Sequence, residues 1–377
     1  MVKDIYPGGI SSNPKQLTVY NDALYFQANA CFSASNTTET LWKSDGTAAG
    51  TVLVSPTNKP GFPRDFVVCN NQLFFCASSN AAGFELWKSD GTNSGTVLVK
   101  DIYVGASNNG SPQKLINVNG QLFFFANNGT LGQELWKSDG TDAGTNLIKD
   151  INPGPTGSYE SASPDIYTAC AIGNFLYFRA NNGINGSELW RSDGTSAGTI
   201  MLKDIYSGTN SSYPNAFINF NDKLIFSSLD GVKGTEIWSS DVTINGTVLL
   251  KDIYEGSSGS TPYAMNIFNN KLFFTAATFI AGRELWSYNG NVLSTNIPNE
   301  NKLELGIYPN PASNILNISL ANNFEVCKIL VTDLSGKMIL EQNSNLKIID
   351  IENLANGIYV LEVFTGEKKM VGKFIKQ

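Results

Sequence analysis

The chain contains six copies of one sequence pattern, and this repetition constrains its fold more than any other feature. Each tryptophan lies in one copy, within variants of the pattern Glu-Leu-Trp-Lys-Ser-Asp-Gly-Thr-x-x-Gly-Thr. The six are Trp42, Trp87, Trp136, Trp190, Trp238 and Trp286. Successive tryptophans are 45 to 54 residues apart. A period of this length indicates structural units that bury their apolar faces against neighbouring units.

The third copy predicts the structure of one unit. Its composition predicts four strands, at residues 111–118, 121–126, 134–138 and 145–151. An Asn-Gly pair joins the first two, which is a strong signal for a tight hairpin turn. Four short antiparallel strands in about 48 residues are typical of a β-propeller blade. Six copies therefore predict an all-β, six-bladed β-propeller with four-stranded blades over residues 1–297.

The two ends of the repeat array predict how it closes. Residues 2–8 match the last strand of other copies, for example residues 99–103, whereas the sixth copy continues into a weaker match. The N-terminal segment is therefore expected to complete the last blade and close the ring. The alternative is a chain truncated upstream, with Met1 inside a repeat.

Charge and composition exclude several functions. The 26 Lys and Arg against 33 Asp and Glu give a formal charge of −7, so the basic surface that nucleic acid binding requires is absent. The absence of histidine removes the commonest general base, most zinc sites and His-dependent nucleophilic catalysis. No apolar run is long enough for a membrane span.

The cysteines have no metal-ligand spacing. They are Cys31, Cys69, Cys76, Cys170 and Cys327. An odd number of cysteines in apolar, strand-like contexts favours buried thiols that pack as small hydrophobic groups. A bridge between Cys69 and Cys76, which flank one hairpin, is the alternative.

An aspartate recurs in each Ser-Asp-Gly-Thr turn. These residues are Asp45, Asp90, Asp139, Asp193 and Asp241. Such an aspartate can accept hydrogen bonds from backbone N–H groups of its own turn and lock it. A ring of carboxylates could instead bind calcium, but blades spaced around a ring would hold these residues far apart. We therefore expect turn-locking side chains, with no metal and no other cofactor.

The repeated tryptophans and glutamates also have two interpretations each. Exposed tryptophans stack on sugars, whereas tryptophans repeated within apolar strands fill the space between blades, and we expect the second. The glutamate before each Leu-Trp pair could pair with the lysine of the Lys-Asp-Ile sequence. It could also supply a glycosidase acid, but such sites need a specific pair of carboxylates, and no single pair stands out.

Candidate binding residues come from positions that differ between copies. The second strand of each copy ends in a small residue. The residue just before it differs in every copy, and in the fourth copy it is Arg179. The longest insertion, at residues 153–164, contains Tyr159 and Glu160. Non-repeated side chains and loops of repeat proteins form the faces that bind partners. We therefore predict Tyr159, Glu160 and Arg179 as binding residues and predict no catalytic residue.

The repeats resemble the ELWxxDGT repeat proteins found among secreted and surface proteins of Bacteroidota. The second, third and fourth copies carry the full pattern, at residues 85–96, 134–145 and 188–199. The first copy departs from it with Thr40 in place of the glutamate, and the fifth with Val242 in place of the glycine. The resemblance implies an extracellular repeat protein and specifies no ligand.

The C-terminal segment resembles a second family, the type A C-terminal sorting domain of the type IX, or Por, secretion system. The residues that carry this resemblance include Tyr308, Pro309, Asn310, Pro311, Gly336, Gly357, Tyr359 and Lys373. The segment itself predicts a small Ig-like β-sandwich. The expected domains are thus a propeller at 1–297, a linker at 298–303 and a sorting domain at 304–377.

This second resemblance implies a destination. It implies the type IX secretion machinery as a partner, export across the outer membrane, and then release or attachment to surface lipopolysaccharide. The family reaches the periplasm by means of an N-terminal signal peptide. None is recognisable in this sequence, which favours an upstream truncation, a mature fragment or a misassigned start.

The functional expectation is a secreted or cell-surface, non-enzymatic propeller that binds a glycan or a protein partner, in adhesion or polymer capture. Two alternatives remain open: a polysaccharide hydrolase or lyase on a propeller scaffold, and a structural module of a surface assembly. Propellers support many unrelated functions, so the fold does not decide among them.

Overall fold

The structure is a computed structural model that describes most of the chain. The described residues are 1–8, 10–33, 36–54, 61–106, 108–159, 168–290, 293–295, 305–320, 326, 328–343, 347–365 and 368–377. Within these ranges every regular element is a β-strand. Accordingly, no helix among them could cross a membrane. The chain forms two compact units, Met1–Asn296 and Ile297–Gln377, and the expected linker at 298–303 lies outside the described residues.

The described part of the first unit forms six antiparallel sheets, each of four strands in chain order. Sheet 1 contains β1 (Lys15–Tyr20), β2 (Ala23–Ser33), β3 (Asn36–Ser44) and β4 (Val52–Leu53). Sheet 2 contains β5 (Gly61–Cys69), β6 (Gln72–Ser79), β7 (Gly83–Ser89) and β8 (Val97–Lys100). Sheet 3 contains β9 (Gln113–Val118), β10 (Gln121–Asn127), β11 (Gln133–Ser138) and β12 (Asn146–Lys149). Each sheet thus corresponds to one sequence repeat.

The second half of the array follows the same plan. Sheet 4 contains β13 (Ala169–Ile172), β14 (Phe175–Asn181), β15 (Ser187–Ser192) and β16 (Ile200–Lys203). Sheet 5 contains β17 (Asn215–Phe220), β18 (Lys223–Leu229), β19 (Thr235–Ser240) and β20 (Thr247–Lys251). Sheet 6 contains β21 (Tyr263–Phe268), β22 (Lys271–Thr278), β23 (Gly282–Tyr288) and β24 (Leu293–Thr295).

A tight turn joins the first two strands of each sheet. Between β9 and β10, Asn119 has a φ of 47° and Gly120 a φ of 86°. Asparagine and glycine tolerate this left-handed conformation better than other residues do. The same positive φ occurs at Asn21 and Asp22 between β1 and β2. The hairpins therefore begin where the sequence predicts.

Hydrophobic clusters between successive sheets form the core of the array. The cluster between sheets 2 and 3 contains Leu86 of sheet 2 and Trp136 of sheet 3. The cluster between sheets 3 and 4 contains Leu135 and Trp190 in the same roles. All six indole rings of the chain are buried. Each Leu-Trp (or Ile-Trp) pair thus spans its sheet, with one side chain on either face, because side chains alternate along a strand.

The first strands of the sheets lie against one another along the array. β1 contacts β5, and the contacts continue through β9, β13 and β17 to β21. The sheets therefore fan out from a shared inner edge formed by these first strands.

The N-terminal segment does not complete the last sheet, which corrects the expectation from the sequence. Residues 2–6 form no strand, and β24 pairs with β23 as the fourth strand of sheet 6. Instead, Lys3 Nζ donates a hydrogen bond to the carbonyl oxygen of Thr51 (2.7 Å). Ile5 packs against a cluster in sheet 1 that includes Phe26 and Trp42. The segment lies there because this face of sheet 1, which points away from sheet 2, offers Ile5 apolar burial.

The second unit contains two further antiparallel sheets. Sheet 7 contains β25 (Leu305–Tyr308), β26 (Ile315–Leu320) and β29 (Ile348–Asp350). Sheet 8 contains β27 (Lys328–Thr332), β28 (Met338–Gln342), β30 (Gly357–Thr365) and β31 (Lys368–Lys376). Their inner side chains share one core, with Leu316 and Ile349 from sheet 7 and Leu361 and Phe374 from sheet 8.

Candidate functional site

The repeated turn aspartates are engaged within their own turns. Asp139 Oδ1 accepts hydrogen bonds from the backbone N–H (2.8 Å) and the hydroxyl (2.7 Å) of Thr141. The other four make the same pair of bonds to the threonine two residues on. These bonds hold the pKa of the Asp139 carboxyl below its usual range. Among the described residues, no group of three or more acidic or cysteine side chains is arranged to hold a metal ion.

The repeated glutamates serve the connection to the next repeat. Glu134 is fully buried, and its carboxylate accepts hydrogen bonds from the backbone N–H groups of Ile151 (3.0 Å) and Asn152 (3.1 Å) and from the Ser158 hydroxyl (2.7 Å). Burial raises the pKa of Glu134 to about 7, and these hydrogen bonds oppose the rise. The equivalent carboxylates, Glu85, Glu188 and Glu236, also accept bonds from the backbone of the following Lys-Asp-Ile segment.

The possible pairing of these glutamates with the lysine of Lys-Asp-Ile does not occur at Lys100 or Lys149. Lys149 Nζ donates to the carbonyl oxygen of Thr199 in the next sheet (2.8 Å). The long lysine side chain reaches the neighbouring turn, whereas the buried carboxylate is satisfied by backbone donors beside it. The carboxylates of sheets 2 to 5 thus have a structural role, so they do not form a site.

A β-bulge distinguishes the inner edge of the array. In β1, β5, β17 and β21, and in the pairing of β9 with β10, the register shifts near the start of the first strand. One residue at each bulge has a positive φ of 53° to 57°; these are Gln16, Asp65, Lys114, Ala216 and Ala264. Bulges redirect side chains and are enriched beside functional sites. The bulge residues are polar or charged in sheets 1 to 3 and alanine in sheets 5 and 6.

The second-strand position whose residue differs in every copy lies opposite these bulges. Cys76 pairs with Arg64, and Gln27 pairs with Lys15. The Arg64 guanidinium lies 4.4 Å from the centre of the Phe84 ring. Burial raises the pKa of the Cys76 thiol to about 12, although the Arg64 charge opposes the rise. The sequence-variable positions of two strands therefore meet on one part of the inner edge.

Five charged or polar side chains from sheets 2 to 4 and the insertion act on one another here. We call Arg64, Asp65, Lys114, Tyr159 and Arg179 the inner cluster. Burial raises the pKa of the Asp65 carboxyl, while the Arg64 and Lys114 charges oppose the rise. Burial also raises the pKa of Tyr159; the Arg179 guanidinium opposes this rise and the Asp65 carboxylate adds to it. The cluster is asymmetric, because the residue types at these positions differ between the repeats.

Neighbouring groups position the inner cluster. The backbone N–H of Asp65 donates to Gln16 Oε1 of sheet 1 (2.6 Å). The Tyr159 ring stacks on Phe125 of sheet 3, with ring centroids 4.5 Å apart. The backbone N–H of Arg179 donates to the carbonyl oxygen of Thr168 (3.1 Å). The Asp65 bond joins sheets 1 and 2, the Tyr159 stack joins the insertion to sheet 3, and the Arg179 bond lies within sheet 4, so the cluster depends on the packing of several repeats.

The structure brings two of the three predicted binding residues together. Tyr159 and Arg179 both belong to the inner cluster, whereas Glu160 lies outside the described residues. Sequence reasoning missed Arg64, Asp65 and Lys114. A signal was available, because the bulge position precedes the hairpin turn by a fixed distance in each copy and changes from charged to alanine along the array.

The residues of the sorting motif contact the last strand of the chain. Asn310 Oδ1 accepts a hydrogen bond from the backbone N–H of Ile375 (2.9 Å), and its Nδ2 donates to the carbonyl oxygen of Lys373 (3.1 Å). Tyr359 stacks on Phe374 at 5.5 Å, and its hydroxyl donates to the carbonyl oxygen of Ala355 (2.8 Å). The motif thus fixes the position of β31.

The remaining motif residues lie at strand ends or beside them. Tyr308 ends β25 and is followed by Pro309, Asn310 and Pro311, where a loop begins. Gly336 has a φ of 83° in the turn before β28, a conformation that glycine adopts readily, and Gly357 begins β30.

Residues 306–377 match the secretion system C-terminal sorting domain family. A sorting domain of this kind implies secretion through the type IX system and a location outside the cell or on its surface. The match covers less than a quarter of the chain and assigns no role to the six repeats. No curated protein matches the chain.

Several solved structures resemble the chain at low similarity. One is PorZ, a surface component of the type IX secretion system of Porphyromonas gingivalis, with 11% identity over 97% of this chain and 52% of that one, and a TM-score of 0.40. Another is the β-propeller domain of the Trilobed protease from Pyrococcus furiosus, with 9% identity over 96% and 98% of the two chains and a TM-score of 0.41. Prolyl oligopeptidase B from Galerina marginata has 10% identity over 93% and 55%, and a TM-score of 0.44.

The chain spans a little more than half the length of PorZ and of the puromycin hydrolases that it also resembles. At this level of similarity, neither the activity nor the partners of these proteins transfer to it.

Proposed function

We propose that the chain is an open six-bladed β-propeller, followed by an Ig-like sorting domain, that binds a partner at the inner cluster once it is outside the cell. The partner is an anionic glycan or a protein with an acidic surface. The six sheets that fan out from a shared inner edge support the propeller. Attachment to surface lipopolysaccharide after export belongs to the same proposal.

The asymmetry of the inner cluster is the observation that carries this proposal. The turn aspartates of sheets 1 to 5 and the glutamates of sheets 2 to 5 are bonded within their own repeats, so we assign recognition to the residues that differ between repeats. Three of them, Arg64, Lys114 and Arg179, are cations. Arg64 and Lys114 act on the Asp65 carboxylate and Arg179 acts on Tyr159, in a chain whose formal charge is −7. Arginine in particular recognises carboxylate and phosphate groups through paired hydrogen bonds.

The same composition favours binding over catalysis. Hydrolysis of a glycosidic bond needs two carboxyl groups at a set separation, and the described inner cluster has only Asp65. Tyr159 and the cations could position an acidic sugar, but they supply no second acid. We therefore propose a non-enzymatic role, in adhesion or polymer capture.

The test is binding of the full chain to immobilised polygalacturonate and, in parallel, to a neutral glucan. We expect binding to the acidic polymer that weakens with salt, and at least about tenfold weaker binding by Arg64→Gln and Arg179→Gln. Lys233→Gln is the matched control, because Lys233 is an exposed cation outside the cluster that pairs with Asp252. Equal losses in all three variants would mean that net charge alone drives binding.

Two other outcomes separate the alternatives. Release of reducing ends or unsaturated products from the polymer would establish an enzyme. Binding that persists undiminished in both arginine variants would remove the inner cluster from recognition.

Export has an experiment of its own. In a host with a type IX system, with a signal peptide attached, the full chain should reach the medium or the cell surface. A variant that ends at residue 305 should remain in the periplasm.

A further inference from the structure

Each sheet of the array has two faces, and the repeats define what each face packs against. We call the face toward the next sheet the forward face and the other the backward face. On forward faces, the leucine or isoleucine before the tryptophan is fully buried in sheets 1 to 5; these residues are Leu41, Leu86, Leu135, Leu189 and Ile237. Each enters a cluster with residues of the following sheet. Five interfaces of one kind therefore repeat along the array.

No described residue buries the forward face of sheet 6 in this way. Leu285, the sixth member of that leucine column, is 49% exposed, against 0% for the other five. Phe268, which ends β21, is 65% exposed, whereas the equivalent Phe220 and Val118 are 2% and 3% exposed. Glu284 is exposed as well, although Glu236 at the same position is fully buried and bonded to the backbone N–H of Ile253.

Among the described residues, the backward face of sheet 1 is covered only in part, because Ile5 packs beside Phe26 and Trp42 while the first strand stays exposed. Leu17 and Val19 of β1 are 60% and 72% exposed. Their equivalents in sheet 2, Phe66 and Val68, pack into the cluster between sheets 1 and 2. A groove of about 240 Å³ lies on this face, lined by Leu17, Leu24, Phe26 and Ile5 among others.

The groove lies where another sheet's leucine would insert. In sheet 2, Leu73 and Phe75 occupy the positions of Leu24 and Phe26, and they enclose Leu41 of sheet 1. The uncovered leucine at one end of the array thus matches the groove at the other end. Ile5 in the groove corresponds to Ile102, which fills the junction of sheets 2 and 3.

We propose that the forward face of sheet 6 binds the backward face of sheet 1 of a second copy of this chain. Leu285 of one copy enters the groove beside Leu24 and Phe26 of the other. In sheet 5, the backbone N–H of Ile253 donates a hydrogen bond to the Glu236 carboxylate. In the proposed contact, Ile5 of the second copy lies beside Glu284 of the first in the same way. The occupant is a second copy because, among the described residues of one copy, both faces are exposed at once and so do not cover each other. Such a contact joins different surfaces, and it therefore continues from copy to copy as a chain or a ring.

The experiment is sedimentation velocity of the full chain over a wide range of concentration. We expect the average mass to rise with concentration beyond that of a dimer. Leu285→Glu and Leu17→Glu each place a charge at the contact and should each weaken association at least about tenfold. Both residues are exposed, so both variants should keep the wild-type melting temperature. Ile184→Glu, at an apolar residue 70% exposed and outside both faces, is the matched control.

Mixing the two variants identifies the geometry. Leu285→Glu retains an intact sheet 1 face and Leu17→Glu an intact sheet 6 face, so the mixture should form heterodimers and nothing larger. A mixture that stays monomeric while the wild type associates would overturn the head-to-tail contact. A wild type that is monomeric at every concentration, with Leu285→Glu destabilised, would instead show that the array closes on itself and would also overturn the proposal.

Discussion

Leu135 and Trp136 are adjacent in the chain but are buried in two different hydrophobic clusters. Leu135 packs with Trp190 of the following sheet, whereas Trp136 packs with Leu86 of the preceding sheet. One dipeptide therefore joins three repeats, and the same arrangement recurs along the array. This explains why the tryptophan is repeated, since its loss would open a junction between two sheets.

Replacement of Trp136 by alanine should destabilise the first unit. The indole ring is buried and its Nε1 donates a hydrogen bond to the carbonyl oxygen of Ala126 (3.1 Å). Truncation of a large buried aromatic residue costs roughly 3–5 kcal/mol in the free energy of unfolding. Urea unfolding followed by tryptophan fluorescence measures the change. Ile184→Ala, at an exposed position, should change the free energy by less than about 0.5 kcal/mol. Equal effects of the two substitutions would contradict the assigned burial of Trp136.

Stability should depend on pH through the buried glutamates. The pKa of Glu134 is raised to about 7 from an ordinary value of 4.5, and that of Glu85 is raised to about 7 as well. The folded state therefore binds more protons than the unfolded state between these values. The contribution of these two glutamates to the free energy of unfolding should therefore be greatest below about pH 4.5 and should fall as the pH rises through 7.

Glu134→Gln tests this assignment. The glutamine does not titrate, so the free energy of unfolding of the variant should change less between pH 5 and 7 than that of the wild type. Urea unfolding at several pH values in this window measures the difference. Parallel curves for the two proteins would show that Glu134 has an ordinary pKa in the folded state.

The contribution of the turn aspartates to stability should depend on their hydrogen-bond acceptor oxygen and not on their charge. Asp139→Ala removes both hydrogen bonds to Thr141, and we expect the melting temperature to fall by about 2–4 °C. Asp139→Asn keeps the acceptor oxygen and should stay close to the wild type, in agreement with Asn289 at this position in the sixth copy. Differential scanning calorimetry with calcium or with a chelator checks the structural role. A melting temperature that rises with calcium in the wild type, but not in Asp139→Asn, would mean that this carboxylate binds metal.

Cys76 should be unreactive in the folded protein. The side chain is fully buried, the pKa of its thiol is raised to about 12, and it forms no disulfide with Cys69. Because the thiolate is the reactive species, iodoacetamide at pH 8 should leave Cys76 unlabelled until urea is added. Peptide mapping by mass spectrometry distinguishes the five cysteines. Labelling of Cys76 at the same rate with and without urea would contradict its burial.

The repeat sequence by itself determined the local structure. Asn119 and Gly120 mark a hairpin because few other residues tolerate positive φ, and the apolar second strand marks burial on both faces. The aspartate two residues before a threonine locks its turn through contacts within a few residues. The sorting motif was recognisable for a similar reason, since Asn310 and Tyr359 make specific bonds that require those residue types.

The tertiary structure alone decided which variable residues meet. Arg64, Lys114 and Arg179 are separated by at least 50 residues in the chain, and only the packing of sheets 2, 3 and 4 side by side brings Arg64 and Lys114 to Asp65 and Arg179 to Tyr159. The expected closure of the ring by the N-terminal segment was wrong. The sequence of this segment specifies that Ile5 packs on an apolar face between sheets, and the backward face of sheet 1 provides one. A repeat pattern encodes the interface between one unit and the next. The pattern does not determine what packs against the first and last faces, because that depends on what lies beyond the array.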